Sequence, residues 1–431
     1  MSAHDLVSAG GKDTEVLIVG GGAAGLILAL SLKGIGVDCR VYEAVPELKA
    51  VGVGINLLPH AVRELDELGL LPALDAVGIR TQDASYFNRF GQHIYTEPAG
   101  EAAGYPWPQY SLRRGDMQMV FLDAVRERLG RDTVVTGHRC TGVDISDDGV
   151  TTHFVGRDGE PLESVRSSVV VGCDGINSAL RQQFYPDEGE PLYSGLTIWR
   201  GVTPFPRLLS GANTVRIGWM TVGKLMVYPV RDDVNPQGDQ LMNFVATLER
   251  PRPDSYDWSS VGNLDDFFEP YADWTFDWLD VPAMLRKTDP VLVFPMVDRD
   301  PVPTWTFGRA TLMGDAAHPM YPRGSNGAGQ AILDARFLAG CFKRRGVTPE
   351  ALQEYDATRV EATAKVVRMN RHNPPDAILR EVHERSGDRP FENITDVISE
   401  AELKAIADRY KAVAGFDIEA LKKRPSFVQT P

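Results

Sequence analysis

Three glycine-centred segments, far apart in the chain, each stand where a predicted strand meets a predicted helix. They are residues 16–26 (VLIVGGGAAGL), 169–178 (VVVGCDGINS) and 311–319 (TLMGDAAHP). Glycine at such a junction allows a tight turn, and the N-terminus of the following helix offers free N–H groups and a positive dipole to phosphate. One such turn is a weak signal, whereas three in this order predict a large phosphate-bearing redox cofactor held by one domain.

The first segment has the dinucleotide-binding spacing, with Gly20, Gly22 and Gly25. The first glycine permits the turn, the second lets the backbone approach a pyrophosphate, and the third lets the helix pack on the strand. Ala24 lies in the same turn, and Glu43 ends the next predicted strand, where it can accept hydrogen bonds from a ribose diol. Because this carboxylate repels a 2′-phosphate, the nucleotide is expected to end in plain adenosine. A tight turn without a ligand is the alternative.

The other two segments favour a flavin over a nicotinamide dinucleotide alone. Asp174 and Gly175 follow one predicted buried strand, and Gly314 and Asp315 follow another. Asp315 is placed where a strand ends, which suits contact with a second sugar-like polyol. Either aspartate could instead cap a turn or a helix.

A glycine-rich run at 324–329 includes Gly327 and Ala328 and leads into a helix predicted over 330–342. In a flavin site such a helix end can face the N1/O2 edge of the ring system, where negative charge develops on reduction. The three segments together therefore predict bound FAD.

The elements that position these segments predict an α/β fold. Apolar runs at 15–19 and 37–42 flank a helix-forming stretch at 23–32, which makes a βαβ unit of the length that the motif requires. A helix is predicted over 116–129, followed by antiparallel strands at 133–145 and 150–155.

Between about 191 and 290 tryptophans cluster and the strands look antiparallel, after which the glycine-rich strand–helix pattern returns. We therefore expect a Rossmann-like FAD-binding domain of the GR2 type, with an inserted antiparallel substrate domain and a C-terminal helical region. The predicted bounds are 14–79, 110–186 and 289–347 for the FAD-binding domain, 80–109 and 187–288 for the substrate domain, and 348–431 for the C-terminal region.

Composition excludes several other classes. The 431 residues are 43% hydrophobic and carry a formal net charge of -14, which disfavours general affinity for nucleic acid or anionic membrane. The cysteines, Cys39, Cys140, Cys173 and Cys341, form no C-x-x-C pair or metal-ligand cluster and indicate free thiols in a reducing compartment. No signal peptide or membrane span is expected, so the predicted location is cytoplasmic.

The motifs resemble those of the group A flavoprotein monooxygenases, the single-component FAD-dependent aromatic hydroxylases. GGGAAG with Glu43 is similar to the FAD fingerprint of this family, CDGINSALR to its D-G motif and GDAAHPMYP to its G-D motif. Further stretches resemble the phenazine-carboxylate and salicylate hydroxylase-like branch: GVGINLLPHA, IWRGVT, PMVDRDP and NGAGQAILDA. One departure is Gly324-Ser325-Asn326, where many relatives carry G-Q-G.

The resemblance implies roles for individual residues. Glu43 would bind the FAD ribose, Arg114 would contact FAD, and Asp315 would contact its ribityl or pyrophosphate region. Val53 and Gly54 would line the isoalloxazine. Pro322 would lie over the flavin face where oxygen and substrate meet.

Substrate-side candidates come from the aromatic domain and from the segment beside the G-D motif. Arg323 could hold a carboxylate and otherwise be a surface arginine, while Tyr228 could face a pocket and otherwise be a core residue. His318 is expected to be structural. The predicted substrate contacts are Trp199, Arg200, Trp219, Tyr228, Tyr321 and Arg323, of which Tyr228 and Arg323, together with Pro322, are the predicted catalytic group.

The resemblance implies that NADH or NADPH reduces the FAD, and that a flavin C4a-hydroperoxide then delivers oxygen to an aromatic or N-heteroaromatic ring, with or without loss of a carboxylate. The protein would act as a monomer or homodimer on a small aromatic substrate and O₂. Two alternatives stay open at this stage: an FAD-dependent oxidase or reductase without oxygen insertion, and a flavin-fold binding protein without turnover.

Overall fold

A computed structural model of the chain describes residues 14–253 and 260–428. Its strands, in chain order, are β1 (Thr14–Val19), β2 (Cys39–Tyr42), β3 (Gly54–Leu57), β4 (Gly78–Thr81), β5 (Asp83–Phe87), β6 (His93–Pro98), β7 (Gln109–Arg113), β8 (Val134–Val135), β9 (Arg139–Ile145), β10 (Val150–Val155), β11 (Val165–Gly172), β12 (Leu192–Phe205), β13 (Asn213–Trp219), β14 (Gly223–Arg231), β15 (Gln240–Glu249), β16 (Val261–Gly262), β17 (Thr275–Phe276), β18 (Leu279–Asp280), β19 (Val291–Asp298), β20 (Thr306–Phe307) and β21 (Ala310–Leu312).

The α-helices are α1 (Ala23–Gly34), α2 (Pro59–Glu67), α3 (Leu71–Asp75), α4 (Arg114–Leu129), α5 (Ala179–Phe184), α6 (Val281–Arg286), α7 (Gly327–Arg345), α8 (Pro349–His372), α9 (Ala377–Ser386), α10 (Glu400–Ala414) and α11 (Ile418–Lys423). The helix that opens after the glycine-rich run begins at Gly327, three residues before its predicted start. No helix of the described ranges is both long enough and apolar enough to cross a membrane.

A largely parallel sheet carries the glycine turns. Its strands run in the order β20-β21-β11-β1-β2-β8, and β10 and β9 extend it from the start of β11. The central strand β1 buries Val16, Leu17 and Ile18 completely, as expected for a parallel strand that is covered on both faces. Helices α1, α4 and α7 pack together in the core beside this sheet. The predicted Rossmann-like α/β architecture is confirmed.

The second large sheet has the order β16-β19-β12-β15-β14-β13-β5-β6 and is antiparallel except between β13 and β5. The strand pair β5 and β6 comes from the first predicted insertion, 80–109. Strand β19 begins after residue 289, where the sequence predicts a return to the FAD-binding domain, yet it pairs with β12 and β16 in this sheet. The exact domain bounds stay a prediction.

Side-chain alternation gives the second sheet two different faces. On β14, Leu225 and Val227 lie in an apolar core with residues of α6 and the 267–279 segment. Their neighbours Lys224, Met226 and Tyr228 line a large cavity on the other face. The cavity therefore lies between the antiparallel sheet and the turns of the parallel one.

The C-terminal helices cover one end of the antiparallel sheet. Residues Ile378, Leu379 and Val382 of α9 pack on Tyr86 and Ile94 of the β5–β6 pair. Helix α8 packs along α7. This region, predicted to be helical, therefore buttresses both large sheets.

Candidate active site

The three glycine turns meet around one cavity of about 1100 Å³. Each turn contributes to its wall, although the turns are separated by more than a hundred residues of chain. The predicted cofactor residues that line it are Gly20, Gly22, Ala24, Glu43, Gly54, Arg114, Asp174, Gly175, Asp315, Gly327 and Ala328. The convergence expected from the sequence is thus present in the structure.

The first turn requires its glycines for different physical reasons. Gly20 has φ +105°, and a Cβ there would lie 2.4 Å from the carbonyl oxygen of Cys173 in the second turn. A Cβ on Gly25 would lie 2.1 Å from the carbonyl oxygen of Gly20. At Gly22 a Cβ would meet no atom within 4 Å, so this glycine leaves open space at the start of α1. That space is where a pyrophosphate approaches in the dinucleotide-binding motif.

Glu43 is held at the cavity edge by the backbone. Its Oε2 accepts a hydrogen bond from Gly21 N at 2.6 Å, and its Oε1 accepts one from Val45 N at 2.9 Å. Gln118 on α4, which the sequence did not single out, also lines the cavity and donates to Gly21 O at 2.9 Å. The first turn is therefore fixed from both sides, and the Glu43 carboxylate lines the cavity beside it.

Asp174 lines the cavity and also contacts the start of a helix. Its Oδ2 accepts a hydrogen bond from Ala179 N at 2.8 Å, which caps the short helix α5. Its Oδ1 is buried and has no hydrogen-bond partner among the described residues. Burial raises the pKa of Asp174, against the lowering effect of the Ser178 hydroxyl. An unsatisfied carboxylate oxygen in the cavity wall fits a ligand that brings a hydroxyl donor.

The third turn brings Asp315 and the N-terminus of α7 to the cavity. Gly314 has φ +61°, and a Cβ there would lie 3.2 Å from Ala24 Cβ and 3.3 Å from Ala331 Cβ, so it permits close packing of two helices. Helix α7 has Asn326 before its first residue and no side-chain cap. Its free N–H groups fit the developing negative charge of a reduced flavin. Together with Glu43, these features fit FAD.

A buried ionic network supports this turn from behind. His318 Nε2 lies 2.5 Å from Asp334 Oδ2, Arg359 Nε donates to Asp334 Oδ1 at 2.7 Å, and Gly314 N donates to the same carboxylate at 3.3 Å. His318 is 3% exposed and is absent from the residues that line the large cavity. Its position agrees with the structural role expected for it.

The antiparallel sheet forms the cavity wall on the side predicted to bind substrate, and this wall, the substrate-side wall, carries both polar and apolar side chains. Arg200 Nη2 donates to Gly54 O at 2.5 Å, and Arg200 also hydrogen-bonds Tyr228. Burial raises the pKa of Tyr228, although the charge of Arg200 opposes this shift. Between these groups the wall is apolar, with Ile198, Met226, Val245, Met296 and Met320.

Two further cations, Lys224 and Arg323, line the same wall, and of these the sequence predicted only Arg323. Lys224 Nζ and Arg323 Nη2 both donate to Asp376, the latter at 3.1 Å, and Asp376 is completely buried. The pKa of Asp376 falls to about 2 because the charges of Lys224 and Arg323 outweigh its burial. Arg323 has a side chain only 11% exposed, so the alternative of a surface arginine is wrong. Lys224 and Asp376 were missed.

Some predicted contacts lie outside the cavity lining. Trp199 stacks on Phe267 at 5.3 Å between ring centroids, because it points away from the face that holds its neighbour Arg200. Trp219 lies under Arg323, 5.7 Å from ring centroid to guanidinium carbon. Pro322 lines the cavity, whereas the residues absent from its lining are Tyr321, Val53, Gly25 and Gly314. The substrate and catalytic roles of all these residues stay predictions.

Comparison with known proteins identifies the family. A family model described as an FAD binding domain matches residues 13–199 and 281–370. The phenazine 1,6-dicarboxylic acid hydroxylase PhzS of Lysobacter antibioticus is 40% identical over 93% of this chain and 97% of that protein. The 3-amino-4-hydroxybenzoate 2-monooxygenase of Streptomyces cremeus is 32% identical over 84% of this chain and 86% of that protein.

A solved structure shares the fold at lower identity. Klebsiella pneumoniae HpxO, complexed with FAD and uric acid, has a TM-score of 0.72 and 22% identity, covering 96% of this chain and 97% of that one. The family match and the relatives above 30% identity confirm the predicted FAD cofactor and the predicted enzyme class. This chain belongs to the group A FAD-dependent aromatic hydroxylases, a family of flavoprotein monooxygenases.

Proposed function

We propose that this enzyme uses NADH or NADPH and O₂ to hydroxylate an aromatic or N-heteroaromatic small molecule that carries a carboxylate. The observation that carries the proposal is Arg200, a cation on the cavity wall. Among the described residues its hydrogen-bond partners are Gly54 O and Tyr228, and no carboxylate pairs with it. An arginine with spare donors in a largely apolar cavity suits a ligand carboxylate.

The neighbouring cations are less available for this task. Arg323, the anchor predicted from the sequence, shares Asp376 with Lys224, so it is already ion-paired within the protein. Arg200 pairs with no carboxylate in the described part of the chain, and its Nε, like that of Arg323, is buried without a hydrogen-bond partner. We therefore assign the carboxylate to Arg200 in preference to Arg323.

The names of the two relatives support a carboxylated ring. One acts on a phenazine dicarboxylic acid and the other on an aminohydroxybenzoate, so both substrates join a flat ring system to carboxylate. The cavity wall has a matching composition, because Met226, Met296 and Met320 line the same cavity as Arg200 with apolar, adaptable side chains.

The residues of the chain bind and orient, while the cofactor supplies the redox chemistry. Bound FAD supplies electron transfer from NAD(P)H and the activation of oxygen, for which no side chain is suited. The apolar wall holds the ring in place and excludes water. Because burial raises the pKa of Tyr228, its phenol stays protonated at neutral pH and can donate a hydrogen bond to the substrate. Pro322 remains our candidate for the residue beside the ring.

The test is oxygen-isotope incorporation. Purified holoenzyme is given NADPH or NADH, ¹⁸O₂ and a panel of phenolic, pyridine and phenazine acids, each paired with its carboxamide. We expect one ¹⁸O atom in the ring product of an acid and much slower turnover of the matching amide. The product mass also tells whether the carboxylate is retained. Hydrogen peroxide as the only oxygen product with every ring would favour the alternative of an oxidase.

The cysteines support a cytoplasmic location for the enzyme. All four cysteines are buried free thiols, which fits a reducing cytoplasm. Whether the enzyme acts as a monomer or homodimer remains a prediction that light scattering of the holoenzyme can test.

A further inference from the structure

Arg216 on β13 is a buried cation that pairs with no carboxylate among the described residues. Its residue is 9% exposed, and its guanidinium lies over the ring of Tyr86, with 5.3 Å from its central carbon to the ring centroid. Within the described ranges it makes no hydrogen bond or ion pair, and Nη1 is fully buried without a partner. A guanidinium removed from water in this way is costly unless an anion or polar group accompanies it.

A second, smaller cavity adjoins this arginine. Its volume is about 70 Å³, and Arg216, Thr214 and Tyr86 form part of its wall beside Ser325. Asn56 and Ser325 line both this cavity and the large one, so the two are neighbours across that loop. The volume is that of roughly two water molecules, at about 30 Å³ each. It is large enough for a small ion.

Three other polar side chains around the small cavity are already engaged. Tyr410 donates to Asn370 at 2.8 Å, and Tyr105 donates to a backbone carbonyl at 2.5 Å. Glu97, the carboxylate in this wall, pairs with Lys411 at 2.7 Å.

Among the fully buried side-chain atoms of this wall, those without partners in the described chain are Arg216 Nη1 and Thr214 Oγ1. Both lie on β13 two residues apart, on the same face of the sheet. They can therefore donate to one common acceptor.

The nearby buried acid cannot serve as the missing counter-ion. Asp376 is shared by Lys224 and Arg323. Burial lowers the pKa of Lys224, Asp376 opposes this shift, and the charges of Arg323 and Arg216 add to the lowering. The region around Arg216 therefore has an excess of positive charge.

We propose that the small cavity beside Arg216 is a binding site for one small anion, held by the Arg216 guanidinium and the Thr214 hydroxyl. Two sources present this chemistry: a free halide, and a carboxylate that reaches in from the large cavity past Asn56 and Ser325. The site is separate from the carboxylate contact assigned to Arg200, and of the two sources only the ligand carboxylate rests on the proposed function.

Bromide is the probe, because its anomalous scattering locates it directly. Crystals of the holoenzyme soaked in bromide should show a peak in contact with Arg216 and Thr214. Arg216→Gln should lower its occupancy by about tenfold or more, since a charged donor is lost, and Thr214→Val should lower it less. Arg207→Gln, which changes an exposed arginine with a side chain 48% exposed, should leave it unchanged.

The absence of a peak in the wild-type cavity at saturating bromide would overturn the proposal, as would a peak that persists in Arg216→Gln. Thr214→Val keeps the shape of the side chain and provides a second readout if Arg216→Gln does not fold. A second soak adds a carboxylated ring. Displacement of bromide by the ring would assign the site to a ligand carboxylate, whereas bromide and ring bound together would assign it to free halide.

Discussion

The guanidinium of Arg200 donates a hydrogen bond to the carbonyl oxygen of Gly54 across 2.5 Å. The N–H of Gly54 in turn donates to Asn243 Oδ1 at 2.7 Å, so two strands of the antiparallel sheet hold both polar groups of this glycine. A Cβ at position 54 would lie 2.7 Å from the side chains of Asn243 and Tyr228. The segment predicted to line the flavin is thus fastened directly to the substrate-side wall.

Arg200→Gln should weaken the binding of a carboxylated ring. Loss of a charged hydrogen bond costs about 1.5–3 kcal/mol, so we expect KM for the acid to rise by about 10- to 100-fold, with little change for the matching carboxamide. Steady-state kinetics on both rings measure this, and Arg207→Gln serves as an exposed control. An equal rise for acid and amide would argue against a carboxylate contact at Arg200.

Glu43→Gln should weaken FAD retention while leaving the fold intact. The amide keeps the shape of the side chain but loses the charge that strengthens hydrogen bonds to a ribose diol, so we expect FAD affinity to fall by about tenfold. Dialysis followed by flavin fluorescence gives the bound fraction. Glu15→Gln is the control, because the Glu15 carboxylate accepts a hydrogen bond from Asp38 N on an exposed surface. Full occupancy of Glu43→Gln at low FAD would contradict the assigned role.

Gly22→Ala and Gly25→Ala should separate cofactor binding from stability. The added methyl at Gly25 would lie 2.1 Å from Gly20 O, so we expect the free energy of unfolding to fall by about 1–3 kcal/mol. The methyl at Gly22 meets no protein atom within 4 Å, so stability should hold while FAD affinity falls. Thermal unfolding at saturating FAD and a fluorescence titration measure the two effects. The reverse pattern would show that the open space at Gly22 is not used by the cofactor.

Burial of His60 should make the free energy of unfolding fall as the pH is lowered. Burial lowers its pKa to about 3, with the charge of Arg424 adding to the shift, while its Nε2 lies 2.8 Å from Asn326 Oδ1. The folded-state pKa lies below the unfolded value of about 6.5. The contribution of neutral His60 to the free energy of unfolding is therefore complete above pH 6.5. It is lost as the pH falls toward 3, by up to about 1.4 kcal/mol per pH unit.

His60→Gln retains an amide that can hydrogen-bond Asn326 but does not titrate. Its free energy of unfolding should decline less between pH 7 and 5 than that of the wild type. Chemical unfolding at both pH values tests this. Parallel declines in the two proteins would mean that other groups carry the acid sensitivity.

The cofactor side of the cavity could be predicted because the sequence motifs that indicate it are local. Each glycine turn lies within a few residues of its strand and helix, and the spacing of Gly20, Gly22 and Gly25 encodes the turn, the open space and the helix contact separately. The parallel order of the strands then follows from the βαβ unit. Hence the convergence around one cavity was expected before the fold was known.

The substrate half was harder because its contacts join distant segments. Strand alternation alone would have separated Trp199 from Arg200 and placed Lys224 on the same face as Tyr228, and this signal was overlooked. Asp376 gave no such signal. It lies in the C-terminal region, and only tertiary packing brings it to Lys224 and Arg323.

The close approach of Gly20 to the carbonyl of Cys173, together with the start of α7 at Gly327, has a consequence for the order of events during translation. The wall of the large cavity is complete only after all three glycine turns, the last of them well past the middle of the chain, have left the ribosome. Cofactor capture is therefore a late event for the nascent polypeptide. Until β21 has been synthesised, β11 has no partner on the side where β21 pairs, and the parallel sheet is incomplete.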